Sequence, residues 1–219
     1  LKTPITIIKG QLEGMIYKVG AYKDRDHYLK SALEVTVQME DMVKEILSIS
    51  RLGNSQFKLK KERISLVKLV ESCMEEERSL AKEKNIELHE LEVVGIDEKD
   101  EVEIDVKLIR RVITNLISNG IHHSPEEASI FCKVAKDERG ICFCIENTGT
   151  HIPEEEMKHL FEAFYRLDQS RNRHTGGTGL GLYIVKLILE MHGYSYVARN
   201  SEKGVIFEIN FTENTNKIP

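Results

Sequence analysis

Along the first fifty residues the apolar side chains recur at intervals of three and four, first as Leu1, Ile5, Ile8, Leu12, Met15 and Val19, then as Ala32, Val35, Met39, Met42, Ile46 and Ile49. That spacing gathers each set into one narrow stripe on a helix. The stripes predict one helix from Leu1 to about Val19 and a second from about His27 to Leu52. Between them Gly20 to Asp26 (GAYKDRD) is polar and opens with glycine, as a helix-to-helix connection should. Two such helices form an antiparallel hairpin, too thin to cover its own apolar stripe. A second copy completing a four-helix bundle is the economical remedy, so a homodimer through residues 1–52 is expected.

The pattern breaks at Gly53 to Ser55, and the segment to about Ile64 reads as a polar linker. Ser65 can cap a helix carrying Leu66, Leu69, Val70, Cys73 and Leu80, because its hydroxyl satisfies an orphaned backbone N–H. Ile86 to Val94 and Val102 to Ile104 read as strands, and Asp105 can cap a helix running to about Ile121. Ser129 to Ala135 and Ile141 to Ile145 flank Lys136 to Gly140 as a hairpin; Leu180 to His192 is a helix; Tyr194 to Ala198 and Val205 to Phe211 close the sheet. Strands and helices mix without strict alternation, which predicts an α+β fold. The expected units are a hairpin over residues 1–54 and a second domain over 65–213.

Composition excludes several classes. A chain of 219 residues with 41% hydrophobic and 31% charged residues can bury a core, and its net charge of −5 opposes general nucleic-acid binding, which needs a basic face. Cys73, Cys132, Cys142 and Cys144 lack the spacing of a zinc site and read as reduced packing residues. No apolar run reaches the roughly 18 residues that span a bilayer. A start at Leu1 rather than methionine predicts a cytoplasmic fragment whose upstream part, with any membrane spans, is missing.

Thr175-Gly176-Gly177-Thr178-Gly179-Leu180-Gly181-Leu182 stands just ahead of an apolar helix. Glycines let backbone N–H groups approach an anion, and a helix start adds a positive dipole end, so the segment suits a phosphate cradle. A glycine-rich surface loop fits the same residues. The G-K-[ST] ending of a Walker loop is absent, and no strand leads in as a Rossmann fingerprint requires. Asn115 and Asn119 lie four apart on one helix, hence on one face, late in an otherwise apolar stretch; Gly120, His122, His123 and Ser124 follow. Asn147-Thr148-Gly149-Thr150-His151-Ile152-Pro153 comes directly off a strand, and Phe161-Glu162-Ala163-Phe164-Tyr165-Arg166 comes next.

In that order, Asn115 to Asn119, Asn147 to Pro153, Phe161 to Arg166, Gly177 to Gly181 and Gly204 to Phe207 resemble the N, G1, F, G2 and G3 boxes of the sensor histidine kinase ATP-binding domain. The hairpin resembles the dimerisation and phosphoacceptor domain of those kinases, Leu1-Lys2-Thr3-Pro4 matching the end of H-E-L-K-T-P. The LKTPIT start, the ENTG-x-x-IP segment and the lid sequence are similar to sensors of the vancomycin-resistance (VanS) type. The resemblance implies an α/β sandwich with a Bergerat-type site for ATP and Mg2+, in the cytoplasmic core of a membrane-bound sensor. It implies autophosphorylation on histidine and transfer to, or dephosphorylation of, a response regulator receiver domain.

By the same resemblance, Asn119 would hold Mg2+ through its side-chain oxygen with Asn115 in support, as a hard cation prefers oxygen ligands. Asn147 would meet the adenine amino group, and Gly149, Ile152, His122 and His123 would belong to the nucleotide site; Tyr165 and Arg166 would flank the nucleotide, Arg166 neutralising phosphate charge. Gly177, Thr178, Gly179, Leu180 and Gly181 would wrap the phosphates as part of a lid. Arg171 and Arg173 could reach phosphate or stay exposed loop cations. Thr3 would orient the water that attacks a phosphoaspartate, or is simply a helix-surface threonine.

Three departures stand out. Asn147 replaces the aspartate of D-x-G-x-G and His151 its second glycine, which predicts retuned adenine recognition because a neutral amide bonds less strongly than a carboxylate. His122 replaces the usual lysine or arginine. In H-E-L-K-T-P the histidine and glutamate come before the leucine, and this sequence starts at that leucine with neither present, so the chain as written cannot autophosphorylate at that site, and His27 reads as a solvated residue. Two other readings follow: a nucleotide-binding, non-catalytic dimeric adaptor for a response regulator, and a gyrase- or chaperone-type ATPase, which the LKTP hairpin opposes.

Overall fold

The structure, a computed structural model, describes residues 2–53, 57–167 and 178–212. Helix α1 (Lys2–Tyr17) and helix α2 (Arg25–Leu52) pack side by side, joined by a 3-10 turn at Gly20–Lys23. The side chain of Asp24 accepts from His27 N at 3.2 Å and starts α2. His27 is exposed, its ring edge-on to Tyr28. The hairpin buries little of its apolar stripe: Met15 and Ala32 are covered, while Ile5 is 51%, Leu12 43% and Val19 58% exposed. No helix among the described residues is long and apolar enough to cross a membrane.

The remainder is a two-layer α/β structure. Helix α3 (Leu66–Glu83) starts at Ser65, whose hydroxyl accepts from Lys68 N at 3.5 Å, and helix α4 (Val106–His123) starts at Asp105, which accepts from Leu108 N at 3.3 Å. With helix α6 (Gly181–His192) they cover one face of a sheet. Strands β5 (Ser129–Asp137) and β6 (Gly140–Thr148) form the expected antiparallel hairpin; β8 (Gly204–Asn210) pairs with β6, and β7 (Ser195–Asn200) with β8. Val134, Phe143, Ile145 and Ile209 alternate inward and meet Ile113, Ile117, Ile184 and Ile188 in a fully buried core.

Two stretches depart from the expectation. Ile86 to Val94 is two short strands, β2 (Glu87–Leu88) and β3 (Glu92–Val94), each parallel to β5. The polar stretch before Ser65 contains β1 (Glu62–Ile64), which pairs antiparallel with β4 (Val102–Ile104), while Lys60 N donates to Asp105 Oδ2 at 3.0 Å. Its polar side chains are tolerated because β1 is an exposed edge. A short helix α5 (Glu154–Met157) follows Pro153.

The far end of α6 is pinned by His192, 3% exposed. Its Nε2 accepts from Asp105 N at 3.1 Å and its Nδ1 donates to Ile188 O at 2.8 Å, an assignment forced because an amide N–H only donates and a carbonyl only accepts. His192→Ala strands a buried amide and opens a cavity. A loss of about 2–4 kcal/mol in urea unfolding is expected; a change below about 0.5 kcal/mol would show that the pin is not structural.

All four cysteines are free. Burial pushes the Cys132 thiol up to about 12 and the Cys144 thiol up to about 11. Both stay protonated at neutral pH and poorly nucleophilic. Cys142 and Cys144 share the sheet face opposite Phe143 and Ile145 and are half-buried there.

Candidate functional site

Three amides lie along one seam. Asn115 and Asn119 stand one turn apart on α4, both half-buried, and Asn147 lies on β6 beside the end of that helix, 4% exposed. Asn115 Nδ2 donates to Gly181 O at 3.2 Å, tying α4 to the start of α6. Asn147 Nδ2 donates to Ser124 Oγ at 3.3 Å, and Ser124 Oγ donates to Gly120 O at 2.7 Å. Among the described residues the Asn119 amide and Asn147 Oδ1 have no hydrogen-bond partner.

The start of α6 is open. Among the described residues Leu180 precedes it with no side-chain cap, and a Cβ on Gly181 would meet none of them within 4 Å. The first N–H groups of a helix carry partial positive charge, so space in front of them suits an anion. Gly179 is held in the left-handed region at φ +70°, and its Cβ would lie 2.9 Å from Phe164 C and Tyr165 O; Phe164 N donates to Gly179 O at 2.9 Å. The Phe161 to Arg166 segment is thereby bonded to the glycine segment. Phe161 packs edge-on against Tyr196 at 4.8 Å, Tyr165 is half-buried, and Arg166 is exposed.

Gly149 and Ile152 are positioned through their backbones. Gly149 N donates to Lys203 O at 2.9 Å; Ile152 N donates to Asn200 Oδ1 at 3.0 Å, and Ile152 O accepts from Asn200 Nδ2 at 2.7 Å. His151 Nε2 lies 3.0 Å from Ser201 O, with which it hydrogen-bonds as a donor. Ser201 Oγ donates to Glu146 Oε1 and accepts from Gly204 N at 2.9 Å, shaping the β7–β8 turn. Asn200 and Ser201 were not singled out from the sequence, although the Asn-Ser-x-x-Gly run of residues 200–204 carries turn chemistry that signals them, and Ser124 was noted there without a role.

His122 and His123 are exposed at the end of α4. Partial burial, helped by Lys84, holds His122 below the usual imidazole range, so it is mainly neutral at pH 7 and a weak stand-in for a lysine. Thr3 is exposed on α1, away from these amides in sequence. Gly177, Arg171 and Arg173 lie outside the described residues. No group of three or more His, Cys, Asp or Glu suited to a metal occurs among the described residues, so a cation here would rely on amide and ligand oxygens. Two open depressions among the described residues, of about 540 and 310 Å³, lie elsewhere, against Arg78 and Asn85 and against Tyr194 and Phe211.

Helix α2 reaches this region. Thr178 Oγ accepts from Leu180 N at 3.1 Å and donates to Glu45 Oε2 at 2.5 Å. Arg111, one turn before Asn115, donates to Ser48 Oγ. Burial lowers its pKa and nearby Glu45 opposes that shift. Leu52 is 7% exposed within the core of the α/β part.

The family described as histidine kinase-, DNA gyrase B-, and HSP90-like ATPase matches residues 104–215, just over half of the chain. The chain is similar to the sensor protein VanSB of Enterococcus faecalis, 30% identical over 94% of this chain and 45% of that protein. It is also similar to the sensor histidine kinase CusS of Escherichia coli, 30% identical over 95% of this chain and 42% of that protein. It therefore spans less than half the length of these relatives. The solved structure of Acinetobacter baumannii histidine kinase AdeS shares the fold, with a TM-score of 0.76, 24% identity and coverage of 98% of this chain and 97% of that one.

Proposed function

The chain belongs to the histidine kinase-, DNA gyrase B-, and HSP90-like ATPase family, and from that premise we propose that it is the catalytic core of a two-component sensor histidine kinase, working in the cytoplasm as part of a membrane-bound protein. The observation that carries the reading is that Asn115 on α4 bonds to the Gly181 carbonyl at the start of α6, which has no side-chain cap among the described residues, with Asn119 one turn further along α4 and Asn147 on the strand beside that helix's end. Asn147 Oδ1 accepts from the adenine amino group, Gly149 and Ile152 shape the base edge, and Tyr165 and Arg166 flank the nucleotide. The segment through Thr178, Gly179, Leu180 and Gly181 offers backbone N–H groups to the phosphates. Asn119, whose amide has no partner among the described residues, fits a Mg2+ ligand with Asn115 behind it. When bound, Mg2+ supplies neutralisation of charge on the phosphates.

The chain's own contribution is positioning. An H-box imidazole nitrogen attacks the γ-phosphorus as the bond to ADP breaks, and the phosphoryl group then passes to an aspartate of a response regulator receiver domain. The exposed part of the hairpin's stripe, including Ile5, Leu12 and Val19, supports a homodimer through residues 1–52, and in this reading Thr3 orients the water that dephosphorylates the regulator. The test uses the protein extended upstream through a complete H-box and incubated with γ-labelled ATP and Mg2+. Acid-labile, base-stable label on the protein is expected. Normal ATP binding without label would replace this reading by that of a nucleotide-binding adaptor.

A further inference from the structure

Ser124 stands at the end of α4, and its hydroxyl donates to Gly120 O at 2.7 Å. A carbonyl oxygen only accepts, so the one hydroxyl proton is committed there and Ser124 shows only lone pairs to its other neighbour. That neighbour is the Asn147 amide at 3.3 Å. The oxygen and nitrogen of an amide are told apart by their partners. Only Nδ2 can meet an oxygen that has no proton left to give, which turns Oδ1 the other way. A Cβ on Gly120 would lie 3.3 Å from Ile130 Cδ1 and 3.6 Å from Asn147 Cβ, so helix end and strand are closely packed around this relay.

We infer that Ser124 is a positioning residue that sets base specificity: by holding Asn147 Nδ2 it makes a two-faced amide act as an acceptor alone, selecting 6-aminopurine nucleotides over 6-oxopurine ones. This rests on the reading of Asn147 as the base contact. The adenine amino group donates to Oδ1, whereas guanine O6 would set two acceptors against each other. Without the relay the amide can turn over about χ2 and donate to O6. An aspartate needs no such relay because both its oxygens accept; the serine matters because residue 147 is asparagine.

The test is displacement of trinitrophenyl-ATP from the protein by ATP and by GTP. Wild type is expected to prefer ATP, and Ser124→Ala to narrow that preference about tenfold, mainly by gaining GTP affinity. Ser124→Thr keeps the hydroxyl and the preference; Ser124→Cys, a weak acceptor, falls between. In an Asn147→Asp background Ser124→Ala leaves the preference unchanged. An unaltered ratio in Ser124→Ala and Ser124→Cys, a narrowing that persists in the Asn147→Asp background, or equal ATP and GTP affinity in wild type overturns the inference while leaving nucleotide binding intact. Failure of wild type to bind either nucleotide overturns the ATP reading, and this one with it.

Discussion

Gly204→Ala is expected to lower stability by about 3 kcal/mol or more, a large part of the usual 5–15 kcal/mol margin. A Cβ at this residue would lie 1.9 Å from Asn147 O and 2.8 Å from Asn147 C and Thr148 Cα. The obstacle is backbone, so no rotamer change relieves it. Nor can either strand retreat, because β6 is paired with β5 on its other side and β8 with β7. The clash also pushes on Asn147, so surviving folded protein should bind ATP poorly. Gly181→Ala is the contrast: its Cβ meets none of the described residues within 4 Å, so stability should change by less than about 1 kcal/mol while ATP affinity falls because the phosphate space is narrowed. Urea midpoints and ATP titrations on the two variants separate these effects. Equal stability of Gly204→Ala and wild type would mean the β6–β8 approach is looser than described.

Asn119→Ala is expected to reduce Mg2+-dependent ATP binding and phosphorylation at least a hundredfold, since loss of even an outer partner of a metal typically costs about 10–100-fold. Stability should move by less than about 0.5 kcal/mol, because the amide is half-buried and has no partner among the described residues. Asn115→Ala differs in kind. It removes the bond to Gly181 O, so it should loosen the start of α6 and weaken nucleotide binding with or without the metal. Titrating ATP in Mg2+ and in EDTA distinguishes the two. If Asn119→Ala lost affinity equally in both conditions, its assignment to the metal would be wrong.

What the sequence disclosed was local. Asp105 and Ser65 announced their helices because a cap acts three residues away. The β5–β6 hairpin showed in alternating apolar residues around a polar turn, and Asn115 with Asn119 in their helical spacing. β1 was hidden, since a three-residue edge strand with exposed charges looks like a linker until its partner, β4, is known. Likewise nothing in the alternation of residues 86–94 shows that the run splits into β2 and β3 against the same neighbour. Within the site, the relay from Asn147 through Ser124 to Gly120 and the grip of Asn200 on Ile152 join residues far apart in the chain. Side-chain bonding of that kind leaves no periodic trace.

The bond from Thr178 to Glu45 makes the root of the glycine segment answer to helix α2. Linkage then works in both directions: if a nucleotide favours or disfavours that docked arrangement by some factor, the docked arrangement changes nucleotide affinity by the same factor, and a stimulus acts on affinity only as far as it shifts the docking. A signal arriving along the hairpin need not touch the phosphates to govern them. Glu45→Gln, which weakens the Thr178 bond away from the phosphate space, is the variant whose nucleotide affinity would report that coupling.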